Sequence, residues 1–304
     1  MSVLTVGTVA FDDIQTPFGR AEKVIGGACT YISWAASYFV NDIRLTSIVG
    51  SDFPKDEIWV LEQRGVNMEG LKIVENGKTF FWAGKYHDDM NQRDTLVTDL
   101  NVLDDFDPDL PDSYLDSQYV MLGNLTPDIQ IKVVEQLKNP KLVVLDTMNF
   151  WMDVAMDKLR IAISKADVLT INDEEARLLS GEYSLVKAAE KIFTMGPKYL
   201  VIKKGEHGAL LMSEDEIFYI PALPLAEVKD PTGAGDSFAG GFIGYLAKTD
   251  DISFENIKRA VVYGSAMASF CVEDFSLGKL KNLSQHIIDD RIRRFVEITS
   301  FSLD

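Results

Sequence analysis

The feature that most limits how this chain can fold is a rhythm. Short apolar runs recur along it, and stretches with helical period lie between them. Leu4-Thr5-Val6-Gly7, Arg44 to Val49, Tyr119 to Leu122, Leu142 to Leu145, Val168 to Ile171, Leu200 to Ile202 and Ala209 to Met212 read as strands. Gly27 to Phe39, a stretch near Glu57 to Arg64, Pro127 to Leu137 and a start at Asp173 to Leu179 read as helices, as do Phe238 to Leu246 and Ile257 to Phe270. A strand that is apolar at successive positions has no face for water and must be covered on both sides. The chain therefore reads as α/β: a mainly parallel sheet with helices on both faces. At 304 residues it can hold one large α/β domain or two smaller ones.

Two segments break the rhythm. Phe11 to Ile25 lacks helical period, and Lys72 to Val102 contains no convincing helix. The run Thr79-Phe80-Phe81-Trp82-Ala83-Gly84-Lys85-Tyr86 is β-rich and aromatic. These segments, about 11–25 and 72–102, are expected to form a small β lid on a single domain covering residues 1–304. Alternation along a strand puts Trp82 and Gly84 on one lid face and Phe81, Ala83 and Lys85 on the other, without saying which face looks into a site. Lys85, His87, Asn91 and Arg93 belong to the same segment. The aromatic set Phe81, Trp82, Tyr86, Phe150 and Trp151 reads as packing, or else as a stacking wall for a nucleobase or sugar ring. The acidic run Asp104 to Asp109 reads as a solvated loop before it reads as a metal site.

Charge narrows the function. Lys and Arg number 30 and Asp and Glu 47, a net charge of −17 at pH 7. A nucleic-acid binder needs clustered cations, so that class is disfavoured. A phosphorylated small molecule stays open, because it needs only local donors and a metal. The two cysteines, Cys29 and Cys271, lie far apart, with no Cys/His cluster for structural zinc. Without a disulfide framework or an export signal, the cytoplasm is the expected compartment. No membrane span is expected, because no apolar run reaches the ~18 residues such a span needs.

The chemistry concentrates in Asp230-Pro231-Thr232-Gly233-Ala234-Gly235-Asp236-Ser237-Phe238-Ala239-Gly240-Gly241-Phe242, just ahead of a helical run. Small residues at 233–235 let the backbone turn tightly and gather N–H groups at a helix N-terminus, where the dipole favours an anion. Asp236 follows in the first turn, placed to take a proton from a hydroxyl held against a phosphate. The plainer reading is a capped helix with a glycine turn, which leaves the glycines on both sides of Asp236 unexplained. Neither GxxxxGK[ST] nor a GxGxxG after the first strand is present.

This string resembles the second signature of the ribokinase-like (PfkB) carbohydrate kinases, and the resemblance extends over nearly the whole chain. It implies a three-layer α/β/α sandwich with a β lid, and an ATP- and Mg²⁺-dependent transfer of the γ-phosphate to a hydroxyl of a sugar-like molecule. Asp236 would be the general base, and the N–H groups of Gly233, Ala234 and Gly235 the anion hole. Asp12, in Gly7 to Asp12, would bind substrate hydroxyls, and Gly26-Gly27 would lie beside the substrate. Asn172-Asp173-Glu174-Glu175 resembles the N-x-x-E motif: Asn172 and Glu175 would hold Mg²⁺ and phosphate, Glu175 through water. Read alone, the same four residues describe a capping box. Lys203-Lys204-Gly205-Glu206-His207-Gly208 resembles the turn bordering the nucleotide, giving Lys203, Gly205 and Gly208 as nucleotide contacts. Ala268 and Gly278 would edge the adenine pocket, near which a monovalent cation sometimes sits in this family. Lids in the family can pair between subunits, so a homodimer through the lid is a further implication.

Two departures bear on the acceptor. Tyr31 stands where the first signature usually has an Asn, suggesting a different or larger substrate than ribose, and Tyr31 is taken as a substrate contact. Asn149, in Asp146-Thr147-Met148-Asn149, comes one position later than usual with no Arg after it, and is also taken as a substrate contact. A sugar kinase is the leading reading. A nucleoside kinase with an aromatic wall for the base is the alternative, and a silent ligand-binding regulator the third.

Overall fold

A computed structural model describes residues 1–302. The chain opens with β1 (Val3–Val6), β2 (Ala10–Thr16) and β3 (Gly19–Gly26). Next come α1 (Ala28–Ala36), β4 (Ile43–Gly50), α2 (Lys55–Gln63) and β5 (Val66–Val74). After β6 (Phe80–Tyr86) and β7 (Arg93–Asp99) the alternation resumes with β8 (Tyr119–Leu122), α3 (Pro127–Gln136) and β9 (Leu142–Asp146). It continues through α4 (Asn149–Val154), α5 (Met156–Ser164), β10 (Val168–Asn172), α6 (Asp173–Ser180), α7 (Leu185–Phe193) and β11 (Tyr199–Lys203). The hairpin β12 (Ala209–Met212) and β13 (Ile217–Ile220) precedes α8 (Ala234–Thr249), α9 (Phe254–Cys271) and α10 (Gln285–Thr299).

Nine strands form one sheet in the order β13-β12-β11-β10-β9-β8-β1-β4-β5. All neighbours are parallel except β11–β12 and β12–β13. Side-chain alternation divides the core in two. Tyr119, Met121, Leu142 and Val144 point into one apolar layer with α1, α8 and α9. Val120, Leu122, Val143 and Leu145 point into the other, with α5, α6 and α7. This is the three-layer sandwich that strands without a wet face require. Chain order departs from β1 in both directions, so the switch point lies at β1 and β8, and ligands of such sheets bind at the carboxyl ends near it.

The lid is a second sheet, β3-β2-β6-β7, and both irregular segments contribute to it. It is narrower than expected. Residues 72–74 belong to β5, at the edge of the main sheet, and Asn101–Asp105 forms a short 3-10 turn that buries Val102 in the body. The acidic run is a loop that alternates. Asp104, Asp105, Asp107 and Asp109 face solvent while Phe106 and Leu110 are buried. Lys132 bridges Asp107 and Asp109.

Candidate active site

The ends of three neighbouring strands deliver three polar residues. Asp146 closes β9, Asn172 closes β10 and Lys203 closes β11. Asp146 is only 5% exposed, and its two carboxylate oxygens lie 3.1 and 3.2 Å from Lys203 Nζ. Burial works to lower the pKa of Lys203. The carboxylates of Asp146, Glu175 and Asp236 outweigh it and hold the amine charged. A methyl group added to Gly235 would sit 3.3 Å from that amine, so the cation lies against the loop before α8.

That loop is built from its own backbone. Asp230, fully buried, accepts the N–H of Thr232 at 2.8 Å. Gly233 adopts φ +76°, and a side chain there would strike the ring of Tyr31 at 2.5 Å. Ser237 N–H makes the first helical bond, to Gly233 O at 2.8 Å, and Ala234 N–H donates to Pro231 O at 3.1 Å. Ala234 is therefore committed to the turn. The N–H of Gly235 has no backbone acceptor among the described residues, as the second position of a helix predicts. Gly240 and Gly241 serve packing: side chains there would meet Ile32 O of α1 and Met267 of α9.

Asp236 is the third residue of α8. Burial raises its pKa to about 7. Asp146 pushes the same way, and Lys203 and Arg93 oppose. Glu175 and Asn172 form a reciprocal capping box, Glu175 N–H donating to Asn172 Oδ1 at 2.8 Å and Asn172 N–H to Glu175 Oε2 at 2.7 Å. Glu175 is 7% exposed and burial pushes it up to about 7, with Lys203 lowering and Asp146 raising it. One of its oxygens is spent on the cap. On the lid, Asp12 is 4% exposed and accepts the N–H of Gly27, and any side chain on Gly26 would overlap its carboxylate. Burial, followed by Asp230, Asp236 and Asp13, raises Asp12 to about 8.

Three of the contacts between lid and body lie around this region. The hydroxyls of Tyr86 and Thr232 meet at 3.1 Å. Asn91 Oδ1 lies 2.6 Å from where a side chain on Gly205 would begin. Ser276 Oγ donates to Ile25 O at 2.5 Å. Register settles which lid face borders this region. Asp12 pairs Trp82 and Ile14 pairs Gly84 in parallel, so Trp82, Gly84 and Tyr86 share the side of Asp12. The indole of Trp82 lies over Gly84, where a side chain would strike the ring.

Asp12, Gly26, Gly27, Asn172, Glu175, Lys203, Gly233, Gly235 and Asp236 thus gather at one mouth. The other expected residues do not all join them. Tyr31 is 1% exposed and buttresses Gly233 from beneath, its hydroxyl without a hydrogen-bond partner among the described residues. Asn149 starts α4, exposed, and its side-chain oxygen accepts only the N–H of Phe150. Gly208 turns the chain against Ile220 O. Ala268 lies in α9, and Gly278 lies in the following loop beside Asp274. That loop docks on the stretch before Asp230, where Val272 O accepts Lys229 N–H. Residue-by-residue reading quoted Asp146 only as the start of Asp146-Thr147-Met148-Asn149 and gave no role to it, to Arg93 or to Thr232. Neither that string nor its place at the end of an apolar strand pointed to Lys203 as its partner.

A family model described as pfkB family carbohydrate kinase matches residues 5–282. A cytidine kinase of Thermococcus kodakarensis is 30% identical over 248 residues, 80% of this chain and 87% of that protein. The crystal structure of a Methanocaldococcus jannaschii nucleoside kinase superposes with a TM-score of 0.76 at 22% identity, covering 98% of this chain and 99% of that one. The structure of a putative ribokinase II from E. coli, in complex with ATP and Mg²⁺, superposes at 0.78 with 20% identity, covering 98% and 99%. With the sandwich, the lid and the glycine-flanked acid at the head of α8 all in place, the family match over residues 5–282 has one meaning: the chain belongs to the pfkB family of carbohydrate kinases.

Proposed function

We propose that this kinase acts on nucleosides, transferring the γ-phosphoryl group of ATP to a hydroxyl of the sugar. The observation that carries the acceptor class is Trp82, whose indole lies over Gly84 on the lid face it shares with Asp12 and Tyr86. A flat aromatic surface beside a hydroxyl-binding carboxylate suits a planar base joined to a sugar, whereas a free sugar uses only the carboxylate. The Thermococcus relative is a cytidine kinase, which supports the same class.

In this reading Asp236 accepts the proton of the attacking hydroxyl, and Asp12 orients the sugar. The helix N-terminus at Gly233 and Gly235, with Lys203, holds phosphate oxygens through its dipole and a fixed cation. Asp146 keeps Lys203 charged and aimed at the loop. The donor set suits ATP with Mg²⁺, the pair bound in the E. coli neighbour: an uncommitted amide, a buried cation, and a carboxylate, Glu175, with one oxygen free. When bound, Mg²⁺ supplies charge neutralisation. Asn172 and Glu175 would hold its water shell.

The test is ADP release measured over a panel of nucleosides and free sugars. The best nucleoside should exceed ribose in kcat/KM by about 10²-fold or more, the scale on which unfilled contacts discriminate. Trp82→Ala should raise the nucleoside KM by roughly 10-fold, the loss of one stacking contact. A free sugar turned over faster than every nucleoside would sink the assignment.

A further inference from the structure

We propose that Asn124 is a specificity residue of this kinase, its side-chain amide nitrogen donating a hydrogen bond to an acceptor atom on the edge of the nucleobase. This rests on the nucleoside reading above and extends it to a residue that reads the base from the body of the protein.

Asn124 follows Gly123 just beyond the last residue of β8, at the carboxyl end of the sheet. β8 lies between β1 and β9, at the switch point where ligands of such sheets bind. The seat is rigid. Gly123 N–H donates to Val6 O of β1 at 2.7 Å. The buried side chain of Gln130 spans from Gly123 O, at 3.0 Å, to Asp146 O, at 2.9 Å, and ties the ends of β8 and β9 together. One strand over, Asp146 holds Lys203 against the loop before α8. The charged strand ends thus lie on the side proposed for the phosphates, and β8 presents an uncharged amide beside them.

The orientation of that amide is fixed by its neighbour. The indole nitrogen of Trp151 carries a hydrogen and can only donate. It lies 2.8 Å from the end of the Asn124 side chain, so the atom facing it is the carbonyl oxygen, Oδ1. The amide nitrogen is turned the other way. Its one contact among the described residues is the sulfur of Met148, at 3.0 Å. A thioether is a weak acceptor. Trp151 is itself held in place: its backbone N–H donates to Met148 O at 3.1 Å, and its ring packs edge to face with Phe150, the centroids 4.9 Å apart. Asn124 is therefore a donor locked in direction, with no strong acceptor of its own.

The same turn holds a second unused group. Thr147 is 5% exposed, and its hydroxyl has no partner among the described residues. Buried polar groups are nearly always paired, so unused ones gathered at a strand end mark a place for a polar ligand. An uncharged donor suits an uncharged heterocycle. Nucleobases carry carbonyl oxygens or unprotonated ring nitrogens along their edges, which accept such a bond. The two contacts divide the base between them: Trp82 of the lid takes its face, and Asn124 of the body takes one atom of its edge. The bond is made to a part of the acceptor that does not react, so it governs binding more than transfer.

The experiment pairs substitutions at Asn124 with single-atom changes in the base. Asn124→Asp keeps an oxygen for the Trp151 N–H and replaces the donor by an acceptor. Asn124→Ala removes both. Steady-state kinetics are measured with the best natural nucleoside, with analogues of it that each lack one acceptor atom of the base, and with ribose. In the parent, one analogue should show a KM raised by about 10-fold with kcat within roughly 3-fold, the scale of a single hydrogen bond. Asn124→Asp should raise the KM for the natural nucleoside at least as much, and raise it no further for that analogue. The turnover of ribose should stay within about 2-fold of the parent in both variants. Losses that add for every analogue, a loss shared by ribose, or an unchanged nucleoside KM in both variants overturns the proposal. If Asn124→Asp melts early, Asn124→Ala, which adds no charge, decides by the same comparison. If the parent prefers nucleosides and the variants behave like it, the assignment of Asn124 fails alone. If the parent turns over ribose faster than every nucleoside, the nucleoside reading fails and Asn124 with it.

Discussion

Asp236 shows how a single residue takes its chemistry from distant neighbours. Its local string is legible: small residues, a helix start and an acid. Its acidity is not legible, because burial and Asp146 raise it while Lys203 and Arg93 lower it, and these lie at 146, 203 and 93. Asp146 and Lys203, 57 positions apart, become partners only when β9 and β11 bring their last residues to one end of the sheet. The string that Asp146 opens carries no such information, and so the pairing escaped notice. As general base, Asp236 must be ionised. Its pKa of about 7 in the free enzyme places the acid limb of kcat/KM near 7, well above the ~4 of an ordinary carboxyl. Glu175 titrates in the same range, and Asp12 just above it, so the midpoint belongs to the cluster. A pH series of kcat/KM checks this: a limb near pH 4 would remove Asp236 from the role. Asp236→Asn should lower kcat by at least about 10²-fold while ATP affinity, read by calorimetry, stays nearly intact.

At the scale of elements, the body was read from fully apolar runs and the lid from the failure of helical period. What escaped was amphipathic or marginal. β5, VNMEGLKIV, is an edge strand with much of its length exposed, so it lacks the continuous apolar run that marks its neighbours. α10 buries only Ile288 and Phe295 fully, too thin a stripe to stand out in a polar segment. Closure of the lid was equally hidden, because contacts such as Asn91 with Gly205 join residues more than a hundred positions apart. That contact can be tested. Gly205 sits at φ +53°, where a side chain costs about 1–2 kcal/mol, and any side chain also meets Asn91 Oδ1 at 2.6 Å. Gly205→Ala should lower the melting temperature and raise the KM for ATP several-fold by propping the lid open. Adding Asn91→Ala removes the clash and leaves the backbone cost. The double variant should therefore recover most of the KM and little of the melting temperature. Purely additive effects in that cycle would mean the lid does not bear on the turn.

Across the whole molecule, the net charge of −17 and the binding of a polyanion are compatible because charge is sorted by place. Exposed acids lie away from the site, some of them paired locally as Asp107 and Asp109 are by Lys132, while the mouth of the site holds Lys203, Arg93 and a helix N-terminus. The same mouth buries four carboxyls whose pKa values rise, Asp12 to about 8, Glu175 and Asp236 to about 7, and Asp230 above its ordinary value, each chiefly through burial. A carboxyl with a raised folded pKa binds its proton more tightly folded than unfolded. Its contribution to stability is full below the unfolded value near ~4, and is lost as pH rises through 7 to 8. The ionised site is thus bought with stability, and removing one buried charge should return some of it. Asp236→Asn should melt higher than the parent at pH 8, by roughly a few °C, and the gap should close toward pH 4, where the parent's carboxyl is protonated. Calorimetric melting of both proteins across that range checks it. A variant that melts lower than the parent at pH 8 would mean that Lys203 and Arg93 fully compensate the buried carboxylate, so that ionising the site carries no cost to the fold.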